Sequence, residues 1–452
     1  MRTRSMTRMV AVGAIAALAL SACASKDGVG SSSAPAAGGS TPAAGGSTPA
    51  AGGSSPAAGT SSAGGGSGKT LIISTDLPLQ GSSATQSDST NKLIQLYLDQ
   101  IGSKAGDYTI KLQPYDDSTA AKGAWDDAAC AKNATDHVAN ADEVAVMGTF
   151  NSGCAKVELP TLNQADMLMV SHANTNPGLT KTWDTGEPDK YYPGGARTYA
   201  RVVTTDDYQG TAAAAYAKND AKLTKCYVLN DNQTYGLGVA KAFTDAAKKQ
   251  GIEIVGEASW DAKQTSYTSL FQKAKTAGAD CVYLGGIYDN NGGQLVKDKV
   301  AVLGDNKTVK LMGPDGFTGY PDLLALPQAE GMFLTFAGLS VDQLIAKDGP
   351  GKKLIEAYTA KYGSAPTGSY PLYGVAATQV ILAAIAKSDG TRKGVTDAVF
   401  GGDPVTIPES ESVTGKEIQI DPKTGDTTAR DITVEEVKGG KETFVKAQSV
   451  EG

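Results

Sequence analysis

The chain has 452 residues, 40% hydrophobic and 20% charged, with 41 Lys and Arg against 48 Asp and Glu for a formal net charge of −7. This acidic balance argues against a nucleic-acid partner, which needs clustered basic charge. With only two histidines in the chain, the imidazole chemistry of most hydrolases has little to draw on.

Taken in chain order, the first element is an export signal. Arg2, Arg4 and Arg8 precede an apolar run over residues 9–20, too short to span a bilayer comfortably. The run ends in Leu20-Ser21-Ala22-Cys23, which resembles the lipobox of bacterial lipoproteins. That resemblance implies cleavage after residue 22 and a diacylglycerol on the sulfur of Cys23. Losing the three arginines takes the net charge from −7 to −10. Residues 30–68 are all Gly, Ser, Ala, Pro or Thr, with nothing to bury against the entropy of ordering, so residues 23–68 are expected to form a flexible tether. The 39 residues from 30 to 68 would span roughly 35 Å root-mean-square. No later stretch reaches transmembrane length.

The body from Lys69 onward is long enough for two domains. Strand signals at residues 69–74, 108–112, 143–148 and 167–171 alternate with helical ones. Ile94, Tyr97, Leu98 and Ile101 make one buried helix face. After a Gly, Pro and Asp-rich loop at 184–195 the alternation restarts, with strands at 226–229, 252–255, 281–284 and 310–312 and helices at 239–249 and 268–277. A strand at 331–336, helices at 352–362 and 372–387, and strand-like pieces at 416–421 and 431–438 close the chain. The fold class that follows is α/β, two doubly wound parallel-sheet lobes with a ligand cleft beyond the strands' carboxyl ends.

The parts an enzyme requires are scarce. No nucleophile elbow, zinc helix or Walker loop occurs, His137 reads as a surface or packing residue, and no cluster beside Asp116-Asp117 in the sequence suggests a metal. Neither a metal nor another cofactor is expected. Cys130, Cys154, Cys226 and Cys281 form an even set suited to two disulfides in an exported protein, with three pairings open.

More informative are the polar residues at strand carboxyl ends. Ser152 opens a helix after the 143–148 strand, and Thr175 follows the next strand. Two hydroxyl-bearing loops beside a helix start suit a carboxylate. Across the cleft, Asp315 in Gly313-Pro-Asp-Gly316 is a counter-charge for an ammonium group.

These segments, in this order, resemble the leucine/isoleucine/valine-binding protein family, the type I periplasmic binding proteins of branched-chain amino-acid importers. The likeness runs through Asp76-Leu-Pro-Leu-Gln-Gly81, Val146-Met-Gly-Thr-Phe-Asn-Ser-Gly153, Ser171-His-Ala-Asn-Thr-Asn-Pro177, Asp207-Tyr-Gln-Gly210, Tyr235-Gly236, Gly285-Gly-Ile-Tyr-Asp289 and Leu311-Met-Gly-Pro-Asp-Gly316. It implies that Ser152, the backbone at Ala173 and Thr175 bind a ligand carboxylate, and that Asp315 binds the ammonium. Gln86, His172, Tyr235, Ile287 and Tyr288 are pocket candidates, His172 reading otherwise as a solvent-facing loop residue. A Cys130–Cys154 disulfide is implied, and the similar strand positions of Cys226 and Cys281 make a second bridge plausible. Three crossovers near 197, 336 and 413 divide the body into lobe 1 (69–196 and 337–412) and lobe 2 (197–336 and 413–452). The function implied is that of a monomeric, lipid-anchored binding protein on the outer face of the membrane. It would deliver a small amino acid, with leucine, isoleucine and valine leading, to ABC permease subunits. The same fold also serves amides, urea, aromatic acids and sensory reception.

Overall fold

The computed structural model describes residues 68–449; the signal, the tether and Cys23 lie outside the described residues. Two sheets organise the body. In the first, Lys104–Ala105 pairs antiparallel with Tyr108–Asp116, and Thr70–Leu77, Glu143–Gly148, Leu168–Ser171 and Tyr199–Arg201 continue in parallel. In the second, Glu253–Ser259, Lys225–Asn230, Cys281–Gly285, Lys310–Gly313 and Phe333–Phe336 run parallel, and the antiparallel pair Asp431–Lys438 and Lys441–Ser449 completes the edge.

Composition explains the layering. Every residue of Glu143–Gly148 and Cys281–Gly285 is buried, as expected of a parallel strand covered by helices on both faces. The helix Tyr370–Lys387 is apolar around most of its circumference and packs on Ala84–Gln100 as the core helix of the first lobe. Neighbouring helices are fixed at their starts. The Asp126 side chain accepts from Ala128 and Ala129 N–H to cap Asp127–Ala139, and Thr391 caps Arg392–Phe400 through Gly394 N–H.

Both expected disulfides form. Cys130–Cys154 joins the two helices of the first lobe that flank Glu143–Gly148. Cys226–Cys281 joins adjacent parallel strands at directly paired positions.

Two of the three crossovers fall later than the sequence reading placed them. Tyr199–Arg201 pairs with the first sheet, and Val202 and Val203 sit in the first lobe's core, so the first crossing comes near Thr204 rather than 197. Residues 413–428 also stay with the first lobe. Ile418–Gln419 pairs with Thr406–Ile407, and Val413, Ile418 and Ile420 pack into the same core, which moves the third crossing to just before Asp431. The middle crossing follows Phe336, beside the first: Thr204 N–H donates to Ala337 O at 3.2 Å. Apolar side chains on short irregular segments, rather than a change in pattern, decide which lobe such a segment joins.

Candidate functional site

The carboxyl ends of the first-lobe strands supply the first wall. Glu143–Gly148 runs through Phe150 into a helix that opens at Ser152. Leu168–Ser171 runs into the loop holding His172, Ala173 and Thr175. The two loops are tied together, since Ser152 Oγ accepts from Asn176 N–H at 3.3 Å and Ser171 Oγ donates to Thr149 O at 2.9 Å. Ala173 N–H is directed at Ser171 Oγ, 3.1 Å away, so its backbone donor is engaged within the loop. Thr175 is buried and its hydroxyl has no hydrogen-bond partner.

A buried cation fixes this wall from behind. Arg201 donates from Nη1 to Asn174 O (3.0 Å) and Asn176 O (2.9 Å), and from Nε to Asp426 Oδ1 (2.7 Å). Its fork geometry lets one side chain hold two turns of the loop and an acid from the distant 426 segment at once.

The second wall centres on Asp315, which is 3% exposed. Gln209 Nε2 donates to its Oδ1 at 2.7 Å, Tyr235 Oη to the same oxygen at 2.5 Å, and Tyr370 Oη to Oδ2. Tyr370 belongs to the first lobe and Asp315 to the second, so this carboxyl already joins the two. Gln209 is itself set by accepting from Asp315 N–H (3.0 Å) and Thr335 Oγ1 (2.9 Å), and it donates to Asp206 Oδ1 at 3.1 Å. Asp206 N–H in turn donates to Thr175 O at 2.9 Å. A continuous chain of contacts therefore runs from the Thr175 loop through Asp206 and Gln209 to Asp315. Burial pushes the carboxyls of Asp206 and Asp315 up, and for Asp206 the nearby Asp315 charge adds to the effect, while the Tyr and Gln donors pull Asp315 back. The Gln209 amide, donating to both, already sits between the two acids.

Aromatic side chains line the space beside these groups. Phe150, His172 and Tyr370 pack edge to face with centroids 5.2–5.7 Å apart, and Phe336 meets Tyr370 at 4.9 Å. His172 is fully buried, with neither ring nitrogen hydrogen-bonded. This corrects its reading as a solvent-facing loop residue. Burial alone holds its imidazole at about 3, so the ring is neutral.

The remaining candidates separate. Tyr235 bonds Asp315, and Ile287 packs beside it around Gly316. Tyr288 turns away to pack with Phe317 and Tyr320. Gln86 reaches across the cleft to Thr318 O (2.9 Å) and Gly319 O (3.0 Å), holding the lobes rather than facing the acid. Asp207 pairs with Lys181 at 3.0 Å near the surface, and the acid in the cleft is its neighbour Asp206. The signal was present: Asp206-Asp-Tyr-Gln209-Gly210 carries the Asp-x-x-Gln-Gly spacing one residue earlier. Gln209, Tyr370, Phe150 and Arg201 were not singled out either. Tyr370 opens an apolar helix, where one more aromatic reads as core.

A family model described as periplasmic binding protein matches residues 76–441. The Leu/Ile/Val/Thr-binding protein of Salmonella typhimurium is 29% identical over 330 residues, covering 71% of this chain and 81% of that protein. A branched-chain amino-acid transporter substrate-binding protein, LivJ, from Streptococcus pneumoniae in complex with isoleucine superposes with a TM-score of 0.68 at 21% identity, covering 84% of this chain and 99% of the other. An ABC-transporter solute-binding protein of Rhodopseudomonas palustris in complex with p-hydroxybenzoic acid gives 0.70 at 18% identity, covering 85% and 98%. The fold is thus that of the type I periplasmic binding proteins, and the chain belongs to the periplasmic binding protein family.

Proposed function

We propose that this chain captures a small α-amino acid by closure of its lobes and delivers it to the permease subunits of an ABC importer. Leucine, isoleucine and valine are the leading ligands. The observation that carries this reading is Asp315, a buried carboxyl on which Gln209, Tyr235 and the first-lobe Tyr370 converge. It is linked through Asp206 to the loops that hold Ser152 and Thr175. An acid on one wall and hydroxyls with a helix start on the other match the two charges of an α-amino acid. The names of its relatives agree, the Salmonella protein being a Leu/Ile/Val/Thr-binding protein. Binding rather than catalysis fits this machinery, which positions a dipolar ligand without a nucleophile–base pair.

An aromatic acid is the second reading. The Phe150, His172 and Tyr370 cluster and the neutral imidazole suit a ring, as does the p-hydroxybenzoate-bound relative. Two acids facing the cleft favour the amino acid. Thermal-shift and calorimetric titration against the amino acids, 4-hydroxybenzoate, urea and an aliphatic amide decide between them, because a ligand that binds only the folded form raises the melting point by mass action. A branched-chain amino acid is expected to bind the wild type, and Asp315→Asn to weaken it at least 100-fold, or about 3 kcal/mol. A shift with 4-hydroxybenzoate and with no amino acid would sink the reading.

Leu20-Ser-Ala-Cys23 and the Gly/Ser/Ala/Pro/Thr segment support a protein held by lipid on the outer face of the cell membrane. Mass spectrometry of the mature N-terminus is expected to find diacylated Cys23 as residue one. An unmodified Cys23 inside a longer peptide would count against the anchor.

A further inference from the structure

We propose that a first-row divalent cation, Zn2+ or Mn2+, binds inside the first lobe between Asp76, His137 and Glu158. Three elements bring these groups together: the end of Thr70–Leu77, the helix Asp127–Ala139, and the helix Ser152–Gln164 that Ser152 opens. All three side chains are completely buried. One ligand atom from each lies within 4.8 Å of the others. His137 Nε2 and Asp76 Oδ2 are 3.1 Å apart, the separation of adjacent ligands around an ion with bonds of about 2.1 Å.

The groups behind them are those that orient metal ligands. His137 Nδ1 is 2.5 Å from Glu143 Oε1, so Nδ1 keeps a proton toward Glu143, and a cation bound at Nε2 would displace the proton that pairs it with Asp76. Asn133 Nδ2 donates to Asp76 Oδ1 at 3.0 Å. Carboxylate–imidazole and amide–carboxylate contacts of this kind fix tautomer and rotamer in metal sites.

Unpartnered oxygens point to what fills the centre. Glu158 Oε2 has no hydrogen-bond partner, and its Oε1 meets only Cys154 Sγ at 3.3 Å, a disulfide sulfur with no hydrogen to donate. Asp117, also fully buried, has a partner on neither oxygen, and its charge acts on Glu158. Among the described residues, the only ion pairs of Asp76, Asp117, Glu143 and Glu158 are those of Asp76 and Glu143 with His137. Protons alone account poorly for this arrangement. A proton shared between Glu158 and Asp76 would join those two carboxyls, but it would leave both oxygens of Asp117 without a partner. One dication answers the excess of acids and the orphaned oxygen together. The donor set is one imidazole and two carboxylates, with Asp117 adjacent and the nearby sulfurs locked in a disulfide. That suits Zn2+ or Mn2+ better than Ca2+, which takes six to eight oxygens.

A site this deep fills as the helices close, so the test starts from unfolded protein. Tag-free protein with its disulfides intact is unfolded in guanidinium and EDTA, refolded with Zn2+, Mn2+ or Ca2+, desalted and assayed for bound metal. About one Zn2+ or Mn2+ per chain is expected, with a melting point above that of protein refolded in EDTA and no retained Ca2+. Glu158→Gln should lower occupancy at least tenfold. Wild type that retains neither metal overturns the proposal, as does a Glu158→Gln variant that retains as much as wild type. Should that variant not fold, anomalous scattering from wild-type crystals grown with Zn2+ answers alone. A peak between Asp76, His137 and Glu158 is expected, and a peak only elsewhere, or none, is decisive against the site.

Discussion

His172 and Asp315 both lie in the cleft wall, and the same loss of water acts on them in opposite directions, lowering the base and raising the acid. For His172 the consequence is a pH-dependent stability with a definite sign. Its folded value is about 3, against about 6.5 when unfolded. Below pH 6.5 the unfolded chain therefore takes up a proton that the folded chain refuses, and stability falls as pH drops toward 3. At pH 4.5 the loss amounts to about 2–3 kcal/mol. Carboxyls raised by burial, such as Asp231 at about 6, act the opposite way. The clean measurement is therefore a comparison of wild type with His172→Phe. Urea unfolding at pH 7 and 4.5 should show the variant losing about 2–3 kcal/mol less; equal losses would mean that the imidazole is not held neutral. The residues that could be read from the sequence here, Ser152, Thr175 and Asp315, all follow a recognisable strand end. Asp206 and Gln209 carried a motif one residue off the register read, and Tyr370 carried none, because its place in the candidate site comes from a partner 55 residues away.

At the scale of elements, legibility followed length and apolar content. Glu143–Gly148 and Cys281–Gly285 are continuous buried runs, and their sequences say so. Tyr199–Arg201 is three residues long and ends in an arginine, whose buried charge is paired with Asp426 and solvated by the carbonyls of Asn174 and Asn176. Lys441–Ser449 carries the charges of an edge strand and so hides its own pattern. The Cys226–Cys281 bridge belongs to this scale as well. It closes a 55-residue separation between two neighbouring strands, which on the chain-entropy account stabilises the fold by about 4 kcal/mol. Replacing both cysteines by alanine is expected to lower the guanidinium midpoint correspondingly, with ligand affinity unchanged because the bridge lies at the strand starts, away from Asp315. A midpoint within error of wild type would show that the strands alone hold this register.

For the whole molecule, several contacts cross the cleft, and on the proposed capture by lobe closure they would belong to the closed form. Ser83 of the first lobe donates from its N–H and its hydroxyl to Asp289 of the second, at 2.9 and 2.7 Å, and Tyr320 Oη donates to the same carboxyl at 2.9 Å. Asn176 Nδ2 reaches Thr234 O at 3.2 Å, and Lys241 lies over the Trp183 ring at 4.9 Å. Ser83→Ala removes one donor from a half-buried acid and should cost the closed form about 1–2 kcal/mol. Because a ligand shifts lobe closure only by its differential affinity for the closed form, affinity for the amino acid that binds wild type should drop about tenfold. Small-angle scattering of the ligand-free protein should show a larger radius of gyration. An unchanged dissociation constant would remove the clasp from closure. The two-lobed division was visible in the alternation of elements, whereas the crossings near Thr204 and Asp431 depended on which core accepted a few short apolar segments.

The strand Thr70–Leu77 begins beside Gly68 and delivers Ser83 to the cleft edge, so the chain enters the first lobe roughly 25 Å behind the mouth. An attachment made ahead of Lys69, whether a lipid, a biotin or the gold of a sensor chip, meets the first lobe at its heel and not at its mouth. Immobilisation through the amino end therefore leaves capture unhindered, whereas random coupling through lysines such as Lys241 and Lys263, which border the two lobes, would jam it.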